Sequence, residues 1–297
     1  MKRRKYRTGF DSVFDIAVIC LLVLILLVVA YPLYFILIAS ISGPDYVNTG
    51  KVMFYPKDIG FEGYKQIMET SAIWNGYRNT IIYTVFGTTL SVTVTLMAGY
   101  AFSRKDLIGR RPLMLAYIFT MYFGGGLIPT YLVVRSLHLT NNPLVIIILG
   151  MVSVYNVIIT RSYFENNIPD ELLEAAFIDG CSNQRFFLRI VLPLSQSIIA
   201  VITLYYAVGQ WNGFFNALIY LSDQKYFPLQ LILRDILIRS QVLQADYTDI
   251  ETIGLQQRIA ELIKYGVIVV ASVPVLIIYP FLQRYFIKGV MIGSIKG

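Results

Sequence analysis

Residues 13–41 form an almost unbroken apolar run of 29 residues, about half again as long as an α-helix needs to cross ~30 Å of hydrocarbon. A chain carrying such a run has few folds open to it. In lipid every backbone polar group must find its partner inside the structure, so helices or a closed barrel are the only spanning solutions. The run is too long for a signal-peptide core and has no small-residue cleavage site before polar sequence resumes, so it reads as an uncleaved span. Five further apolar runs follow, near 76–102, 113–135, 143–164, 197–221 and 262–285. The fold class is therefore an all-α membrane protein with six transmembrane helices. No internal repeat of 20–50 residues and no low-complexity tail interrupts it, and 1–297 reads as a single membrane domain.

Charge orients the chain. Only 14% of residues are charged, against roughly 25% in soluble domains. The net charge of +7 is spread over the ends of apolar runs, which argues for membrane orientation and against nucleic acid. With the N-terminus inside, fourteen Lys and Arg fall on inner segments and seven on outer ones, and the short loop 103–111 alone holds Arg104, Lys105, Arg110 and Arg111. Short loops obey the positive-inside rule best. Residues 1–12, the loop 165–196 and the tail 288–297 are then cytoplasmic. Two outer segments, 42–75 and 222–261, offer a docking face for an external protein or simply pack on the membrane surface. The first reads as an irregular loop with a short helix around Tyr64–Glu69. The second opens on an amphipathic stretch with Leu229, Ile232, Leu233, Ile236 and Leu237 on one face.

The polar passage 165–193, ENNIPDELLEAAFIDGCSNQRFFLRIVLPL, is unlike its surroundings. Pro169 suits a first helical position, Asp170 and Glu171 complement the positive end of the helix dipole, and Gly180 is a natural stop. Leu172, Leu173, Ala176 and Phe177 share one face. Ser182 caps a second short helix running to about Arg189, which Pro193 ends. The passage is a helix–break–helix knob.

Chemistry has little to hold. No phosphate-binding loop, nucleophile elbow, H-E-x-x-H or C-x-x-C occurs. His138 is the sole histidine, and Cys20 and Cys181 are too far apart in depth to pair. The chain is thus not an enzyme and holds no cofactor or metal. In the fifth span, Tyr205, Gly209, Asn212 and Asn216 recur at i, i+4, i+7 and i+11, with Gln210 and Trp211 beside them. Such a stripe either faces a path for hydroxyl-rich solutes such as sugars or bonds neighbouring helices, and Gly209-x-x-x-Gly213 suits the second use. In the third span, Gly124, Gly125, Gly126 and Pro129 break or kink the helix, which brings Tyr122 and Tyr131 towards a cavity or merely bends the span.

The knob carries a resemblance. Glu174-Ala175-Ala176, three residues, Gly180, nine residues, then Ile190-Val191-Leu192-Pro193 resembles the EAA loop of ATP-binding-cassette (ABC) importer permeases at every specified position. The chain as a whole is similar to permease subunits of the maltose-like, carbohydrate-uptake-1 group, and closest to the branch handling complex oligosaccharides, including polyuronides. The resemblance implies a bacterial inner-membrane, multi-pass subunit with both termini cytoplasmic. It implies a coupling helix at 170–180, with Glu174, Ala175, Ala176, Phe177, Asp179 and Gly180 meeting an ATPase subunit. The implied partners are a second homologous permease, two ATPase subunits that hold ATP and Mg, an extracytoplasmic solute-binding protein, membrane lipid and a carbohydrate substrate. The tail Gly293–Gly297 resembles a terminus that reaches the ATPase dimer interface. A six-span secondary transporter driven by an ion gradient is the competing class. The absence of Asp, Glu, Arg, Lys and His near the middle of any span speaks against it.

Overall fold

The computed structural model describes residues 9–243, 263–277 and Pro280, which form helices and connecting loops with no strand among them. The expectations for residues 1–8, for 244–262, for the end of the sixth span and for the tail 288–297 lie outside the described residues. The chain divides into two compact units, residues 1–70 with 235–272, and residues 71–234 with 273–297.

In the first unit, α1 (Gly9–Ser40) contains the long apolar run, and its most apolar window is wholly exposed. Among the described residues only its C-terminal end is covered. Ile38 and Ala39 are buried against Val47 and Val52, next to α2 (Pro44–Asn48). The Ser42 hydroxyl donates to the Ile38 carbonyl (2.6 Å), and the Tyr64 hydroxyl of α3 (Glu62–Glu69) donates to Ser40 Oγ (2.8 Å). Hydroxyls thus close the helix end, where backbone carbonyls lack helical partners.

The second unit is built on α4 (Ser71–Ser103), 33 residues whose buried face is mostly small or hydroxylated, with Gly76, Thr80, Gly87, Thr88, Ser91, Thr95 and Gly99 beside Ile73, Tyr83 and Leu96. Small residues on a long apolar helix let neighbouring backbones approach closely. At Gly99 a Cβ would stand 2.7 Å from Thr160 Cγ2, and at Gly76 it would stand 3.0 Å from the Leu229 Cα. Thr95 Oγ1 and the Tyr206 hydroxyl share a hydrogen bond of 2.6 Å, and the Ser153 N–H donates to the same hydroxyl at 3.1 Å.

The remaining apolar runs are interrupted. α5 (Arg110–Tyr122) and α6 (Leu127–Ser136) meet at 110° across the glycine triplet, where Gly126 adopts φ +82°. α7 (Leu144–Ile148) and α8 (Val154–Asn167) are separated by 149–153, with Gly150 at φ +81°. α9 (Asp170–Ile178) is followed by α10 (Asn183–Phe186), a π-helical turn (Phe187–Val191) and α11 (Leu192–Leu194), which bend by 83° into α12 (Gln196–Trp211). α13 (Phe215–Tyr220), α14 (Leu229–Leu243) and α15 (Ile263–Ile277) complete the described chain. Two of these helices are long and apolar enough to cross a membrane alone, and each bent pair passes the same test taken together, which makes up to four.

Pro193 does not end the second helix of the knob near Arg189, as expected; helical structure runs on to Leu194. The wide π turn absorbs the missing donor and the ring.

Candidate functional site

Two places gather the residues singled out by sequence, both within the second unit. The first is the knob. Pro169 stands at the N-cap, one position before the helix, with φ −65° and ψ 147°, an extended setting that its ring favours. The helix ends as the glycine requires. Gly180 has φ +74°, its N–H donates to the Phe177 carbonyl (3.0 Å), and the Cys181 N–H donates to the Ala176 carbonyl (2.8 Å). These crossed bonds form a Schellman motif, which needs a left-handed residue at that position. Leu173 and Ala176 plug the helix into a cluster with Phe164, Phe186, Val191 and Ile198. Glu171, Glu174, Ala175 and Asp179 are exposed, and Ile178 is 88% exposed. The expected apolar face is therefore divided. Phe177 remains 43% exposed beneath the Arg104 guanidinium, 5.7 Å from its ring centroid.

An ion pair binds α9 to the loop between α4 and α5, and further pairs brace the loop and α8 beside it. Lys105 donates to the Asp170 carboxylate at the start of α9, and that bond raises the Lys105 pKa above its ordinary value. Arg104 grips Asp106 through two bonds (2.8 and 2.7 Å) and holds its carboxyl below the usual range. Glu165, in the last turn of α8, receives Arg110 (3.2 Å) and Arg161 (3.0 Å), while Arg110 also donates to the Ser103 carbonyl (3.2 Å). A cleft of about 670 Å³ opens among these groups, lined by Arg104, Lys105, Glu165, Asp170, Glu174 and Phe177 among others. Sequence reading counted Arg104, Lys105 and Arg110 for orientation but missed their pairing. Lys105 and Asp170 lie 65 positions apart, so no local pattern announces them.

Through Arg110, which also bonds the end of α4 at Ser103, Glu165 ties the start of α5 to the root of the knob. Its side chain is 28% exposed. Glu165→Gln is expected to lower stability by about 1–2 kcal/mol, between the values for exposed and buried pairs. Thermal unfolding of the purified protein checks this, and an unchanged midpoint would mean the pair contributes nothing.

The second place is a hollow of about 330 Å³ lined by Tyr205, Gly209, Gln210, Asn212, Phe214 and Asn216 among others. The stripe expected along one continuous helix is assembled across a break, because α12 stops at Trp211 and α13 starts at Phe215. Four predicted residues, Tyr205, Gln210, Asn212 and Asn216, meet here. Three do not. Trp211 is buried edge-on against Tyr77 (6.2 Å), Tyr131 stacks on Tyr220 (6.0 Å), and Tyr122 is exposed at the end of α5. Beyond its own helix, no heavy atom of the described residues lies within 4 Å of where a Cβ on Gly209 would be, so this glycine opens the hollow and seats no neighbouring helix among them. Gln210 lies across the notch at Gly87, its Nε2 2.7 Å from the place of a Cβ there. Among the described residues the lining holds amides, phenol hydroxyls, rings and aliphatic groups and no charged side chain. Such a surface suits hydroxyl-rich, uncharged faces of a solute. Sequence reading missed Phe214 and Gly150, since neither carries a signal until the breaks are known.

Comparison with known proteins identifies the scaffold. Residues 4–292 match the family described as binding-protein-dependent transport system inner membrane component. The chain belongs to this family. It is similar to the polygalacturonan/rhamnogalacturonan transport system permease protein YtcP of Bacillus subtilis, 39% identical over 97% of this chain and 99% of the relative. Protein LplC of the same organism is 37% identical over 98% of both chains. Among solved structures, a bacterial ABC transporter involved in the import of the acidic polysaccharide alginate superposes with a TM-score of 0.85 and 33% identity, covering 95% of this chain and 99% of that one. The protein is an ABC-transporter permease of the inner membrane and not an ion-driven carrier or an enzyme. The similarity to permeases spans residues 4–292 of the chain.

Proposed function

We propose that this permease is one of two homologous subunits that form the translocation path of an oligosaccharide importer, and that α9 is the coupling helix through which a cytoplasmic ATPase drives it. The observation that carries the reading is α9 itself. It bears the EAA pattern, is fixed by a Schellman end and a buried inner face, and still presents Glu174, Ala175 and Ile178 to the surroundings. The six apolar runs cross the membrane with both termini and the loop 165–196 inside. ATP and Mg belong to two partner ATPase subunits, and an external binding protein delivers the solute. ATP-driven closure of the ATPases swings the knob as a rigid body. The swing biases the spans between two packed states, which is what coupling between distant sites requires.

The names of the relatives point to oligosaccharides of the polyuronide class as substrate, and the hollow at Tyr205, Gln210, Asn212 and Asn216 is proposed as part of the path, with Trp211, Tyr122 and Tyr131 in supporting positions. The test is uptake into proteoliposomes holding both permeases and the ATPases, with binding protein loaded with oligogalacturonide. Uptake is expected to require ATP. Gln210→Ala, Asn212→Ala and Asn216→Ala should each weaken it roughly two- to tenfold, the worth of one lost hydrogen bond. Uptake without ATP, or none with any oligosaccharide, would overturn the proposal.

A further inference from the structure

We propose that residues 51–57 form a hook that inserts into the headgroup–acyl boundary of the lipid bilayer beside α1. The inference rests on reading α1 as a membrane span, whichever way it points. The sequence of the hook is Lys51-Val-Met-Phe-Tyr-Pro-Lys57, an apolar and aromatic tip between two cations.

The hook is pinned at both depths. At the top, the Gly43 N–H donates to the Lys57 carbonyl (3.0 Å), the Lys57 N–H to Ser42 Oγ (3.3 Å), and the Gly60 N–H to the Ile41 carbonyl (3.1 Å). At the bottom, the Tyr34 hydroxyl donates to the Phe54 carbonyl (2.6 Å), the Tyr31 hydroxyl to the Met53 carbonyl (3.4 Å), and the Tyr31 and Phe54 rings lie 5.9 Å apart. Seven to ten helical residues separate Tyr34 and Tyr31 from Ile41, so the chain dips roughly 10–15 Å along α1 and returns. Val52 anchors it at 2% exposure, whereas Met53, Phe54 and Tyr55 are 60%, 60% and 76% exposed.

The level of the dip selects the partner. Twenty residues counted from Ile16, just past Asp15, reach Phe35, which places Tyr34 in the last turn and Tyr31 just before it, near the end of a ~30 Å span. That is the depth of the aromatic belt, where rings sit among headgroups. Tyr55 and Phe54 join the belt from the loop, and the exposed Lys51 and Lys57 are set to reach lipid phosphates above it. A protein docking from the aqueous side would meet the top of this cap and not a tip directed down the flank of α1.

The test places a nitroxide on single cysteines, Phe54→Cys or Tyr55→Cys, in a C20A/C181S background, with Leu26→Cys (a position 64% exposed in mid-helix) as the span control. The intact transporter is held in nanodiscs of phosphatidylglycerol and phosphatidylethanolamine. Collision with oxygen, which partitions into lipid, is expected to exceed collision with a water-soluble nickel chelate severalfold at 26, 54 and 55. Dominant nickel collision at 54 and 55 with lipid values at 26 overturns the hook. So does shielding from both reagents at 54 and 55, or a change there only when binding protein is added, because a protein then covers the patch. Dominant nickel collision at 26 overturns the span reading itself.

Discussion

In vesicles containing the intact transporter, Gly180→Pro is expected to abolish ATP-driven uptake while the permease still reaches the membrane. The loss follows from the end of α9. Gly180 sits at φ +74°, far from the −65° that proline imposes. Proline also lacks the N–H that Gly180 donates to Phe177. Together these cost roughly 3 kcal/mol or more, about a hundredfold in the population of a correctly ended helix. Gly180→Ala separates conformation from packing. Beyond its chain neighbours, no atom of the described residues lies within 4 Å of where its Cβ would be, so alanine meets only the left-handed penalty of roughly 1–2 kcal/mol. Uptake should fall in the order Gly, Ala, Pro with membrane abundance unchanged. Equal uptake in all three would remove the rigid knob from the account. Glu174→Lys should uncouple transport as well, through charge rather than shape, because Glu174 is exposed and its loss leaves the fold intact.

Gly99→Val is expected to destabilise the second unit by about 1–3 kcal/mol, the usual range for overpacking. A Cβ at 99 would lie 2.7 and 2.9 Å from the Thr160 side chain and 3.3 Å from the Arg161 nitrogen. β-Branched Thr160 has little freedom to move aside, and its hydroxyl is held by the Asn156 carbonyl (2.7 Å). The thermal midpoint of purified Gly99→Val should drop. Thr160→Ala in the same chain should recover part of the drop by removing the 2.7 Å contact while leaving the one at 2.9 Å. Residues in direct contact are expected to behave non-additively in this way, so a purely additive double variant would place the strain elsewhere.

Much of this architecture was legible because hydropathy and stop signals are local. The apolar run from Val13 foretold α1, the glycine triplet and Pro129 foretold the break between α5 and α6, and Gly180 and Ser182 foretold the two turns of the knob. What escaped depended on context. A stripe at i, i+4, i+7 and i+11 presumes one continuous helix, and Asn212-Gly213 ended it. The break turned Trp211 into the core and left α13 to bring Asn216 back to the hollow. Gly150, one residue in an apolar run, split the fourth span by adopting φ +81°. Glu165 looked like one more polar residue in a loop, yet it receives two arginines from different stretches of chain. In sequence Met53, Phe54 and Tyr55 are part of a long outer segment, and only the bonds from Tyr31 and Tyr34 to the Met53 and Phe54 carbonyls set that stretch against α1.

The central claim is that α9 faces the cytoplasm and is held by an ATPase. Site-directed crosslinking from Ile178→Cys, in a C20A/C181S background, tests it in membranes holding the whole transporter, because Ile178 is the most exposed apolar side chain of the knob. The account predicts a crosslink to the ATPase subunit whose yield changes with ATP, and no labelling of intact cells by a membrane-impermeant maleimide. Labelling from outside the cell, or a cysteine that never meets the ATPase, would contradict it.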